Sequence, residues 1–296
     1  MMQKNLLISP QRNRRSIVSV LLGVSAAVAL LAPMAAWANH PVLVEGNCNN
    51  PPAGNPAIVP AGTCGDYDGD GRIGTAEDSD GDRVFGTINA ANAASPMGAN
   101  NNGTITIVTS GTFPEVVTLI GNITLQAAPG VDANIDAVLQ GDPGSGPRQS
   151  QPGIIVDAPA NRYVVIRNIT SRNWTSGIEV RGNSRVSIEN CRLEHNINYG
   201  IEVNDNARVK VDKSEVIATG FRLNPMTGDF PTTAQPAPGI GISFEDNSRG
   251  AVFRTEVAGS FAAGIAKQTS GEVKLSDVYL FDNNPDQAGF RGNSGR

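Results

Sequence analysis

From residue 153 onward the chain alternates apolar and polar positions in short runs that return at a nearly fixed interval. Gly153-Ile-Ile-Val156, Gly177-Ile-Glu-Val180, Gly200-Ile-Glu-Val203, Gly241-Ile-Ser-Phe244 and Gly264-Ile-Ala-Lys267 begin 24, 23, 41 and 23 residues apart. The long interval is one repeat plus an 18-residue insertion, Phe221 to Pro238. A second run keeps step with the first: Val164-Val-Ile-Arg-Asn168, Val186-Ser-Ile-Glu-Asn190, Val209-Lys-Val-Asp-Lys213, Ala251-Val-Phe-Arg-Thr255 and Val273-Lys-Leu-Ser-Asp277. A period of two marks strands with one buried face. Strands this short close a core only by stacking on neighbours, so the repeat predicts a parallel β-solenoid with one coil per repeat.

The paired motifs resemble the right-handed parallel β-helix of the pectin-lyase-like superfamily. Asn168 and Asn190 fall at one coil corner, where that family stacks Asn side chains, while Lys213, Thr255 and Asp277 depart from the ladder. Upstream, Phe85 to Asn92, Thr104 to Val108, Gly111 to Glu115, Val117 to Leu119 and Ile123 to Leu125 resemble the family's N-terminal capping helix and first coils. The resemblance covers residues 84–282. It implies an all-β chain folded as a right-handed parallel β-helix of about seven coils with a short N-terminal capping helix. Parallel connections favour the same hand.

Composition agrees with this and narrows the function. Only 5% of residues are aromatic, against 33 Gly and 19 Pro, which excludes a helical bundle, and 23 basic against 28 acidic residues exclude a basic nucleic-acid binder. Residues 1–15 carry Lys4, Arg12, Arg14 and Arg15 and no acid; an apolar run from Ile17 to Ala32 follows and leads to Ala36-Trp37-Ala38. This is the pattern of a secretory signal removed after Ala38, and the run falls short of a membrane span. The expectation is a protein secreted to the periplasm or beyond, with no transmembrane segment after cleavage. Its net charge of −5 becomes −9 when the four positive charges of residues 1–38 are removed.

Residues 39–83 read as an N-terminal arm and 283–296 as a C-terminal tail. Cys48 and Cys64 bracket a Pro/Asn/Gly-rich stretch of 15 residues and are expected to pair where disulfides persist. Cys191, in a repeated apolar segment, reads as a core residue. Within the arm, Asp66, Asp68, Asp70, Gly71, Ile73 and Glu77 occupy positions 1, 3, 5, 6, 8 and 12 of an EF-hand pattern. Short carboxylates at that spacing wrap a Ca²⁺ ion, with Arg72 contributing its carbonyl and Glu77 binding through both oxygens. The segment resembles the calcium loops of EF-hands and dockerins over one loop only. Asp78, Asp80 and Asp82 repeat the alternation without the glycine. Residues 66–82 hold seven acids and one base, so most of the chain's acidity is local.

Equivalent positions in parallel coils stack about 4.8 Å apart, so outward columns are readable from the repeat. One column runs Arg167, Glu189, Asp212, Arg254, mixed in sign as on a passive surface. Another runs Ile155, Glu179, Glu202, Ser243, with two carboxylates on adjacent coils and Arg181 two residues along. Like charges facing across strands destabilise and raise one pKa, which makes Glu179 and Glu202 candidates for acid/base chemistry or for holding a cation. The loop Gln140 to Pro152 and the insertion both end just before strands of this face and are expected to wall a groove. Trp174 and Tyr199, with Asn173, His195, Asn196 and Arg181, are its expected sugar-binding side chains. The superfamily's Gly-His-Gly, Asp-Asp and Asp-Pro-His signatures are not found. The sequence therefore favours a non-catalytic extracellular or cell-envelope protein that binds a polysaccharide or cell-surface component. The alternative is a polysaccharide lyase or glycoside hydrolase acting around Glu179 and Glu202. End-to-end self-association is a further option, because a solenoid end exposes pairing edges.

Overall fold

Alternating Val and Ile make one buried face per strand, and stacking those faces coil on coil builds the core. The computed structural model describes residues 42–46, 57–58, 72–73, 84–94, 102–137, 151–220 and 238–283. Their strands pair in parallel into three sheets of nine, seven and six strands. Six coils give one strand to each sheet and a seventh gives two, in line with the expected number. In the nine-stranded sheet Val164 pairs with Val186 and Ile166 with Ile188; in the six-stranded sheet Ile178 pairs with Ile201. These residues are 0–2% exposed and belong to one continuous core. Burying each such side chain is worth about 1.5–3 kcal/mol. The remaining pair, Ala57–Ile58 with Arg72–Ile73, is antiparallel.

Corners separate the strands, and most of those after residue 167 are made by a residue in the left-handed backbone region. The first corner column is Asn168, Asn190, Lys213, Arg254 and Asp277, with φ of 44–55°. The second is Asn173, His195, Ala218, Gly259 and Asp282, and the third includes Gly182, Asp205 and Asp246. Asn, Asp and Gly tolerate this conformation; elsewhere it costs about 1 kcal/mol or more and is held by its surroundings. Here the corner N–H groups donate to the next coil, as from His195 to Ile217 O at 3.0 Å and from Ala218 to Ala258 O at 2.9 Å.

One coil differs from the expected alignment. Val209 pairs with Gly250 and Asp212 with Phe253, so the motif there starts at Gly250 rather than Ala251, and Arg254, not Thr255, turns the corner. The cause is Phe244, whose buried ring fills the place taken by valines in other coils. A Cβ on Gly250 would lie 2.7 Å from Phe244 Cζ.

The repeated glycine of the Gly-Ile motif has a similar origin. A Cβ on Gly177 would stand 2.6 Å from Asn196 Nδ2 and 2.8 Å from the carbonyl oxygen of Gly200 on the next coil. Cys191 is buried and free, and desolvation pushes its thiol up to about 12, as befits a core residue.

The N-terminal end is covered. Ile88 and Ala91 of the helix Ile88–Ala94 are fully buried, and the Glu115 carboxylate accepts the N–H groups of Ile88 and Asn89 at 2.7 and 2.8 Å. Val42–Val44 extends the nine-stranded sheet between Val84–Phe85 and Asn102–Ile107, so a segment expected in the arm is part of the solenoid. At the other end the last strand exposes Tyr279, Leu280 and Phe281. No helix among the described residues is long and apolar enough to cross a membrane.

Candidate functional site

The outer face of the six-stranded sheet carries the expected carboxylate column in register. Ile155 pairs with Glu179, Glu179 with Glu202, and Glu202 with Ser243. Glu202 accepts the Ser176 hydroxyl at 2.7 Å and Asn204 Nδ2 at 3.2 Å. Glu179 faces Arg181 Nη1 at 3.6 Å, and Arg181 also pairs with Asp157 at 3.1 Å. Burial first, and then the neighbouring Glu202, push the Glu179 carboxyl above the ordinary carboxylate value, with Arg181 opposing them.

The next outward column on this face contains Arg181, Asn204, Glu245 and Gln268. Glu245, which the sequence reading does not single out, accepts the Ser243 hydroxyl at 2.9 Å and is hydrogen-bonded to Tyr199. Tyr199 is half-buried against Ile240, Ala263 and Ala266. Burial, followed by Glu245 and Glu202, pushes its phenol up to about 12, so it stays protonated. The face thus carries acceptors and donors, mostly half-buried, with one partly exposed ring.

Four expected ligand side chains belong elsewhere. Trp174 has no exposed surface; its Nε1 donates to Ile135 O at 2.9 Å inside the core. Asn196 is equally buried, accepting Trp174 N at 3.2 Å and donating to Ser171 O at 3.1 Å. Asn173 and His195 occupy the second corner column; Asn173 is buried with Nδ2 on Asp136 at 2.7 Å. His195 is half-buried, and burial is the main cause of its lowered pKa, with Arg172 and Arg192 adding to it against Glu194. These residues build the corner beneath the face, and the buried Trp174 ring offers no surface for a sugar to stack on.

The other faces are mostly neutralised rung by rung. Arg167 meets Glu189 at 2.9 Å, and Arg254 meets Asp212 at 2.6 Å from the corner position rather than from the column expected. Arg172 bridges Asp136 and Glu194, and Arg192 bridges Glu194 and Glu215. Asp66, Asp68, Asp70, Glu77, Cys48, Cys64, the loop residues 140–150 and the insertion residues 221–237 lie outside the described residues. Arg72 is described in backbone only, opposite Ile58.

Residues 148–229 match the family model described as right handed beta helix region. The coils are those of a right-handed parallel β-helix. Two solved structures of the pectin methylesterase from Aspergillus niger, deglycosylated and penultimately deglycosylated, are similar at 12% identity. The alignments cover 71% of this chain and 87% of the other, with TM-scores of 0.38 and 0.39. No curated protein matches the sequence significantly. Within this β-helix Glu179 and Glu202 stand on successive rungs of the six-stranded sheet.

Proposed function

We propose that the protein is an exported, calcium-clamped β-helix that binds a glycan on the six-stranded sheet without cleaving it. The observation that carries this reading is the placement of Glu179 and Glu202 side by side on one face, each engaged by its own neighbours. Glycosidic cleavage needs two carboxyl groups flanking the scissile bond, whereas adjacent rungs of one sheet approach a bound sugar from the same side. Carboxylates, amides and a guanidinium spread over such a strip suit hydroxyl recognition. The raised Glu179 beside a second carboxylate favours one alternative, a lyase or glycoside hydrolase at the same pair, since a carboxyl perturbed by burial and a neighbouring charge is a mark of acid/base sites.

A glycan array combined with a product screen on polysaccharides separates the two. Binding without products, weakened by Glu179→Gln and Glu202→Gln, is expected; products abolished by either substitution would replace binding by catalysis. Calcium enters through the Asp66–Glu77 pattern, where the ion would fix the arm by oxygen ligation. Chelation is expected to lower the melting temperature, and Asp66→Asn with Asp68→Asn to remove that response. Melting indifferent to chelator would remove the metal from the proposal.

A further inference from the structure

A second strip, on the outer face of the nine-stranded sheet, differs from every other charged column described above. Arg185 pairs with Arg208 and Arg208 with Arg249, so three guanidinium groups stand on consecutive rungs about 4.8 Å apart. All three are exposed, and none has a carboxylate within ion-pairing distance among the described residues. Glu272 follows on the next rung but is paired with Lys274 at 3.3 Å. Lys210, paired with Asp212 at 3.2 Å, and Lys274 stand in the adjacent outward column of the same face. A shallow depression of about 350 Å³ follows the strip from Tyr163 to Lys274. A second, of about 260 Å³, adjoins it, where Arg208 and Arg249 meet the exposed Asn206, Asn247 and Ser270. The nearby Asp205 and Asp246 carboxylates accept backbone N–H groups at the corner, from Gly182 and Asp205 respectively.

We propose that Arg185, Arg208 and Arg249, flanked by Lys210 and Lys274, form a docking strip for a linear anionic glycan that lies along the solenoid axis with about one carboxylate or sulfate per rung. The register carries the assignment. A pyranose ring is about as long as one rung is high, so a chain with one anionic group per sugar meets one guanidinium fork per residue, and arginine binds planar oxyanions through two parallel hydrogen bonds. The amide column beside the arginines supplies partners for hydroxyl groups. Single-stranded nucleic acid fits less well: it is held by one aromatic platform after another, and this strip has Tyr163 alone. The net charge of −5 also means that no general basic field is at work, only this local array. The strip is independent of the Glu179–Glu202 face.

Size-defined heparin and polygalacturonate oligosaccharides, with a neutral dextran and a single-stranded DNA of equal charge, are titrated into the full chain at low and physiological salt. Affinity for one or both anionic glycans is expected to rise steeply up to three or four sugars and then level off. The two arms distinguish sulfate from carboxylate. The triple change Arg185→Gln, Arg208→Gln, Arg249→Gln is expected to lower affinity at least tenfold. The matching lysine triple is expected to lower it several-fold by losing the fork while keeping the charge. Should the glutamine triple fail to fold, Arg208→Gln alone, checked by its melting curve, decides the matter by a loss of threefold or more. Glu179→Gln with Glu202→Gln leaves this binding unchanged, which keeps a failure of the strip apart from a failure of the other face. Undiminished affinity in the folded glutamine variants, no dependence on oligosaccharide length, or tighter binding of the DNA than of both glycans would each overturn the proposal.

Discussion

Replacing Gly177 by alanine tests whether close packing at the Gly-Ile column sets the register of the six-stranded sheet. The added methyl would lie 2.6 Å from Asn196 Nδ2, 2.8 Å from Gly200 O and 3.0 Å from Leu193 Cδ1. Ordinary carbon contacts begin near 3.5 Å, so something must retreat by about half an ångström or more. Asn196 is tied to Ser171 O and Trp174 N, and Gly200 O belongs to the neighbouring strand's backbone. Overpacking costs about 1–3 kcal/mol. A strained buried hydrogen bond adds about 1 kcal/mol or more. The loss of chain entropy in the unfolded state returns about 0.4–1 kcal/mol. A net loss of about 1–3.5 kcal/mol corresponds to roughly 2–14 °C in melting temperature for a domain of this size. Gly111→Ala is the control: no atom lies within 4 Å of its added methyl, so it should be neutral or stabilise by up to about 1 kcal/mol. Thermal unfolding followed by circular dichroism reads both. Equal effects of the two substitutions, or a Gly177→Ala protein that melts within a degree of the parent, would refute the packing argument.

Two further outcomes follow from the titratable groups. Because Glu179 is held above the ordinary carboxylate value, the folded chain binds its proton more tightly than the unfolded one. Its stabilising contribution is therefore complete below the unfolded value and fades as pH rises through the folded value. Glu179→Gln should flatten the melting temperature against pH in that window and raise stability at neutral pH by about 0.2–1 kcal/mol; parallel curves for parent and variant would show that the pair is not coupled. Cys191, buried with its thiol near 12, should resist alkylation in the folded protein. With Cys48 and Cys64 paired, thiol counting should give none in the folded protein, one on unfolding and three after reduction. Three thiols on unfolding without a reductant would remove the disulfide, and labelling of Cys191 in the native state would contradict its burial.

The coil architecture was legible because inward positions recur without interruption between residues 153 and 217, and the Glu179–Glu202 pairing followed directly from that regularity. Side-chain direction at the corners was not legible. Trp174 stands just before a strand, as a groove aromatic would, yet its ring fills the space left by Gly153: a Cβ there would lie 2.6 Å from Trp174 Nε1. The pattern shows that an aromatic residue stands at a turn. Which side of the wall it takes depends on a missing side chain one coil away.

The arginine strip was hidden by a slip of one residue. Arg185 and Arg208 immediately precede Val186 and Val209, the apolar anchors of their coils. Anchoring the next coil on Ala251 puts Gly250 in the column and leaves two arginines; the true anchor, Gly250, puts Arg249 there and makes three. The slip has a physical source, since the Phe244 ring replaces the anchor side chain and an apolar pattern cannot register a position filled from another strand. The consequence reaches beyond register. Arg167 with Glu189 and Arg172 with Glu194 show how this solenoid pairs opposite charges along a column. Like charges on adjacent strands instead destabilise by about 0.2–1 kcal/mol per pair. Two such contacts in one exposed column, whose next rung offers only Glu272, itself paired with Lys274, depart from the charge alternation of those columns. A ligand that spaces its own negative charges by the rung height would turn that repulsion into the binding site's specificity.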